Sequence, residues 1–209
     1  MVFISLLQIF NIKLAILGFG LRSLRKKIKL IILVKIAWIL SALNNKRLAT
    51  KFWLKALKID SKNPVYLTTT GQFLWQISKK KFSQVLIKKA LDCNPNYGPA
   101  LFNLGFLKQE NKDHDKAIIF FTRAILINKK NDLSYYGRGI SYFATKQYKA
   151  ASDDFNSTIK LQPMSPYAYY QLAHVQFAMG RTRESQKTIE TVNSFEPQVA
   201  EKLKKELKL

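Results

Sequence analysis

The chain has 209 residues, of which 47% are hydrophobic, and carries one cysteine and a formal net charge of +22. The length fits one domain or one short array, and the apolar fraction is enough for a continuous core. A single cysteine, Cys93, excludes an internal disulfide and a cysteine-based zinc cluster, while the charge points either to an anionic partner or to a lysine-rich base composition.

Residues 1–21, MVFISLLQIFNIKLAILGFGL, are almost wholly apolar and are interrupted by Lys13. No charged segment precedes the run and no small-residue cleavage site follows it, so a cleaved signal peptide is not expected. The run is about the 20 residues a membrane span needs. A mid-span lysine costs about 2.5–3.5 kcal/mol, which a dozen Leu, Ile and Phe residues can offset. Arg22, Arg25, Lys26, Lys27 and Lys29 follow, and as positive-inside charges they would hold the rest of the chain in the cytoplasm. Two readings of residues 1–29 stand side by side: a membrane span or interfacial anchor, and a helix packed as a cap on the elements that follow.

Residues 30–43, LIILVKIAWILSAL, predict a helix that is apolar nearly all round and therefore needs cover from the N-terminal helix, lipid or a partner. Next comes a helix at about 46–59, with Ala49, Trp53, Ala56 and Leu57 on one side and Lys51, Lys55 and Lys58 on the other. Helices are expected near 64–77 and 81–94. The Thr68–Thr70 run weakens the first of them, and Cys93 is expected as an inert thiol on the inward side of the second. Residues 98–131 and 132–165 read as two well-formed helix pairs, turning at Asn111–Lys112–Asp113 and Thr145–Lys146–Gln147. His114 is expected to be solvated. In the later pair Arg138 stands where its neighbour has Leu104; an inward arginine needs a partner, and Asp154 is placed to supply it. Residues 166–199 form the last pair. PQVAEKLKKELKL then predicts an amphipathic helix from Pro197, with Val199, Leu203 and Leu207 inward and Lys202, Lys204, Lys205 and Glu206 in water.

These pairs are copies of one unit. At a step of 34 residues the chain reads Ala37, Gly71, Gly105, Gly139, Ala173; then Ala49, Ser83, Ala117, Ala151, Ser185; then Trp53, Ile87, Phe121, Phe155, Ile189; then Ala56, Ala90, Ala124, Thr158, Val192. Small residues where two helices cross, with a large one four positions after the second small one, define a helical hairpin. Proline at 95, 163 and 197 ends one unit and starts the next. Five units follow, 30–63, 64–97, 98–131, 132–165 and 166–199, with 200–209 completing the C-terminal cap.

The pattern Leu101, Leu104, Gly105, Ala117, Phe121, Ala124 in one unit, and Tyr135, Gly139, Tyr142, Ala151, Phe155, Pro163 in the next, resembles the tetratricopeptide repeat. The resemblance implies an all-α, right-handed solenoid of stacked helix-turn-helix repeats whose inner groove, lined by the first helix of each unit, binds peptides or proteins. On that framing Ile31, Val34 and Trp38 lie on the groove side of the first unit. The later groove positions are Phe102, Asn103, Phe106 and Gln109; Tyr136, Ile140 and Phe143; and Tyr170, His174 and Phe177. This aromatic stripe suits an apolar or aromatic peptide segment. Leu133 and Gly137 stand where a chaperone-tail clamp would need basic residues, so acidic chaperone termini are disfavoured.

No catalytic set, cofactor loop or metal cluster is recognisable: the two histidines stand in different units and the glycines are scattered. The chain therefore reads as a non-enzymatic scaffold for a protein or peptide partner, with no small-molecule substrate, cytoplasmic and associated with a membrane through residues 1–43. An alternative rests on charge. Residues 1–91 hold eighteen Lys and Arg against one acid, Asp60, so the N-terminal half could instead bind nucleic acid or anionic lipid, unspecifically and with a steep salt dependence.

Overall fold

A computed structural model describes the backbone from Val2 onward and the side chains from Gly20 to Leu209. The span or cap expected of residues 1–21 thus falls outside the described residues, apart from Gly20 and Leu21. Among the described residues all regular structure is helical, and none of the helices is long and apolar enough to cross a membrane. The chain divides into two compact units, residues 1–93 and 94–209.

The first unit contains α1 (Val2–Ala42), α2 (Lys46–Ile59), α3 (Pro64–Gln76) and α4 (Lys80–Cys93). The second contains α5 (Gly98–Glu110), α6 (His114–Ile127), α7 (Asp132–Ala144), α8 (Tyr148–Leu161), α9 (Pro166–Ala178), α10 (Thr182–Asn193) and α11 (Pro197–Leu207). Helices α2, α4, α6, α8 and α10 start at 46, 80, 114, 148 and 182, and α3, α5, α7 and α9 at 64, 98, 132 and 166, each time a step of 34. The sequence period is therefore a period of antiparallel helix pairs. No turn separates residues 1–29 from 30–43: nothing between Leu21 and Ala42 breaks a helix, and α1 runs through both.

The turn inside each pair repeats to the residue. Asn44, Ser78, Lys112, Lys146 and Gly180 all have positive φ, from 56° to 74°. The following amide donates five residues back: Asn45 to the Leu40 carbonyl, Lys79 to Leu74, Asp113 to Lys108, Gln147 to Tyr142 and Arg181 to Gln176. This is the Schellman stop, which satisfies carbonyls the helix end would leave open. Restarts are equally local. Pro64, Pro166 and Pro197 open their helices, where a missing N–H costs nothing. Asn45, Asn63 and Asn131 accept backbone N–H groups of α2, α3 and α7 through their side chains. The threonine run does form α3: Thr70 is buried and its hydroxyl donates to the Tyr66 carbonyl at 2.6 Å.

The core is the small and large columns meeting. A Cβ on Gly71 would stand 2.6 Å from Ile87, one on Gly105 2.8 Å from Phe121, and one on Gly139 2.8 Å from Phe155. Each large side chain is fully buried against the glycine of its own hairpin. Gly137, not singled out as a packing position by the sequence, does the same between hairpins: its Cβ would lie 2.6 Å from the tip of Phe121. The Phe121 ring is thus wedged between α5 and α7. At the C-terminal end Ala200, Leu203 and Leu207 of α11 close over Ala173, Ile189 and Val192.

Two burial expectations are corrected. Cys93 is exposed, because it is the last residue of α4, a turn past the inward Ala90; Ile127, 34 positions later, is exposed too. His114 opens α6 and is half-buried, with its Nδ1 shielded from solvent.

Candidate functional site

Helices α5, α7 and α9 lie side by side in the second unit, each tied to the next. Gln109 of α5 donates through Nε2 to the Gly137 carbonyl and to the Ser141 hydroxyl of α7, both at 2.8 Å. Gln109, expected as a groove residue, is in fact a strut. Helix α7 in turn packs on α9, where Tyr136 and Ile140 meet the cluster that holds Leu172 and Val175, and burial raises the Tyr136 phenol pKa.

The stripe residues fall on these three helices at one register. Phe102, Asn103, Phe106, Tyr136, Ile140, Phe143, Tyr170 and His174 are half-buried, and Phe177 is exposed. Their rings lean on the core. Phe102 lies 5.8 Å from Phe121, Tyr136 5.9 Å from Phe155, and Phe143 5.8 Å from Tyr148, between centroids. Tyr136, Ile140 and Phe143 pack on Ala151, Phe155, Leu172 and Val175. The stripe is therefore a set of anchored rings with part of each surface open, a rigid aromatic face rather than free side chains.

At its far end the stripe meets α11. Glu206 accepts a 2.6 Å hydrogen bond from the Tyr170 hydroxyl with Oε2, and the same oxygen lies 3.1 Å from His174 Nε2. Lys202 Nζ sits 3.8 Å from Glu206 Oε1 and 5.0 Å over the Tyr170 ring. The bond to Glu206 pushes the Tyr170 pKa up to about 12, and the same bond lowers that of Glu206. Glu206 is exposed, as expected, and its carboxylate also reaches back to α9. Helical geometry beside Leu203 and Leu207 puts it at the border of the inward face, which a tail rich in Lys and Glu conceals.

Arg138 is where the sequence pointed. Its Nε and Nη2 donate to the two Asp154 oxygens at 2.7 Å each, and Nη1 donates to Thr122 Oγ1 at 3.0 Å. Tyr135 and Tyr142 flank the guanidinium at 5.7 Å. The cluster joins α6, α7 and α8. The Asp154 bonds raise the Arg138 pKa, while burial raises that of Asp154. Three guanidinium N–H groups bond inside the fold, so the cluster holds helices together. Among the described residues no three His, Cys, Asp or Glu side chains come together as a metal-binding group.

Antiparallel helix pairs at a fixed 34-residue step, with an aromatic face on adjacent first helices, define an α-helical repeat protein of the kind that holds other proteins. A profile described as tetratricopeptide repeat matches residues 86–119, and one described as anaphase-promoting complex, cyclosome, subunit 3 matches residues 110–192. Serine/threonine-protein phosphatase 5 of Homo sapiens is 33% identical over 86 residues, 41% of this chain and 17% of that protein. A TPR repeat-containing protein of Methanocaldococcus jannaschii is 26% identical over 188 residues, 66% of this chain and 33% of that protein. The chain thus spans a minor part of either relative. In three dimensions it is similar to MamA of Desulfovibrio magneticus RS-1, with a TM-score of 0.73 at 15% identity over 81% of this chain and 96% of that one. It is also similar to YrrB, described as a TPR protein with an unusual peptide-binding site, with a TM-score of 0.68 at 19% identity over 83% and 90%. Together the profiles, relatives and structures support a protein of tetratricopeptide-repeat type.

Proposed function

We propose that the chain is a non-enzymatic scaffold that grips a segment of a partner protein on the open face of α5, α7 and α9, at the cytoplasmic face of a membrane. The observation that carries the reading is the stripe itself: eight residues at one register with Asn103 beside them, whose middle members Tyr136, Ile140 and Phe143 pack on the core and keep part of their surface open. Rigid aromatic surface gives contact area at little cost in side-chain entropy. The peptide-binding site named for YrrB is in keeping with it. The test is capture of the partner by the full chain and by a variant with Phe106→Ser, Tyr136→Ser and Tyr170→Ser. Loss of capture with helical content retained is expected; unchanged capture contradicts the reading.

A second reading is favoured by charge. The first acid of the chain is Asp60, so α1 and α2 carry bases and no carboxylate, and the first unit would attract an anionic surface, nucleic acid or lipid. Salt titration of the full chain against RNA and against vesicles tests this.

A further inference from the structure

In the repeating hairpins two positions of the first helix, seen in α3, α7 and α9, face the hairpin before. In α3 they are Tyr66 and Phe73, which pack on Ala37, Ala49 and Trp53. In α7 they are Ser134 and Ser141, and in α9 Ala168 and Val175, all fully buried. Stepping back by 34 residues, the same positions on α1 are Ile32 and Ile39, and these are 51% and 60% exposed. Leu21, Leu24 and Ile28 continue the line at helical spacing and are exposed as well. Among the described residues the buried side of α1, which carries Leu33 and Ala37, is the opposite one: it packs on α2, and Tyr66 and Phe73 of α3 close on the same cluster. At 14 residues, α2 is about 21 Å long, so it can accompany only the last third of the 41-residue α1.

Two features say what covers this face. The stacking positions of the later hairpins include close approaches: Gly137 lets the Phe121 ring come within 2.6 Å of where its Cβ would stand. The equivalent of Gly137 on α1 is Lys35, exposed between Ile32 and Ile39, so another hairpin could not seat there without burying an ammonium group. A second copy would also bring a second strongly basic unit against the first. At helical spacing Arg25, Lys27 and Lys29 flank the apolar line, Arg22 and Lys26 fall on the far side, and no acid occurs before Asp60. An apolar stripe bordered by bases is the composition of a helix lying in a membrane interface, where lysine stems follow apolar surface and their heads reach the headgroups.

Resting on the second reading above, we propose that the face of α1 formed by Leu21, Leu24, Ile28, Ile32 and Ile39 docks on an anionic lipid bilayer, with Lys35 and the flanking Arg25, Lys27 and Lys29 on the headgroups. The experiment uses the full chain with phosphatidylcholine vesicles, vesicles that also contain phosphatidylglycerol, and single-stranded RNA. Variants are Ile28→Glu with Ile32→Glu, and Leu126→Glu on exposed α6 as a control. Both sites are on the surface, and circular dichroism checks that the variants are folded. The expected result is sedimentation with the anionic vesicles that falls as salt rises, a loss of about tenfold or more in the double variant, and no loss in the control. Equal binding to neutral vesicles, or wild-type binding by the double variant, overturns the proposal. RNA binding without vesicle binding overturns it and leaves the second reading standing; binding to neither removes both. A dimer that the double variant abolishes, without vesicle binding, makes a second copy the occupant and also overturns it.

Discussion

Removing the Asp154 carboxylate is the sharpest perturbation of the fold. In Asp154→Ala, Arg138 keeps its bond to Thr122 but loses two charge-assisted bonds of 2.7 Å. The side chains are only 17% and 5% exposed, so water replaces little of the lost interaction. Breaking such a pair costs about 3–5 kcal/mol, and the partial access of Arg138 puts the expectation near the lower end, about 3 kcal/mol. Arg138→Leu should cost about as much at neutral pH, because Asp154 is then buried as a lone anion. That deficit should shrink as pH falls, since a protonated carboxyl is cheaper to bury. Replacing both, Arg138→Leu with Asp154→Leu, restores the leucine its neighbour has at Leu104 and should leave stability within about 1 kcal/mol of the original or above it. Urea unfolding followed by circular dichroism measures all four proteins, and at a slope of about 2 kcal/mol/M the single variants should unfold about 1.5 M earlier. Single losses below about 1 kcal/mol with no coupling between the two sites would refute the reasoning.

Gly137→Ala should destabilise by about 1–3 kcal/mol through overpacking against Phe121, whereas Gly20→Ala, with open space around it, should stabilise by up to about 1 kcal/mol; urea midpoints moving together would contradict this. In the turns, Gly180→Ala should lose about 1 kcal/mol and Lys112→Gly should gain a similar or smaller amount, because only glycine adopts positive φ without strain, and thermal unfolding reads both. Absorbance titration should find one tyrosine ionising near 12, returned toward the ordinary 10 by Glu206→Gln. The raised phenol means that the contribution of the Tyr170–Glu206 bond is present below pH 10 and lost as pH climbs through 12. The lowered carboxyl means that it is also lost as pH drops beneath the usual 4.5.

The helix pairs were legible because two kinds of evidence agree along the chain. Small residues recur where helices cross, and large ones recur four positions after the second small column, so the helices could be paired before any coordinates, although the seating of Phe121 on Gly105 and of Phe155 on Gly139 could not. Arg138 was legible because a charge in a leucine column demands a partner. Features that depend on the edge between faces were hidden. Glu206, exposed as expected, borders Leu203 and Leu207 closely enough to meet Tyr170, and Cys93 lies just past the last inward residue of α4, where sequence spacing no longer separates inside from outside. The contact of Gly137 with Phe121 was hidden because it links two repeats, while the columns were read within one. The stripe residues were legible as a register, but not as rings shared with the core: periodicity gives a side chain's direction and not the depth to which it is anchored.

The central claim is that the open side of the first helices is what grips a partner. A photoreactive phenylalanine placed in turn at Phe106, Phe143 and Phe177, and at the exposed Ile119 and Leu126 of α6, tests it in the cell. The account predicts adducts to one and the same protein from the three inner positions and none from the two on α6. Adducts confined to Ile119 and Leu126, or three unrelated sets from the inner positions, would contradict it.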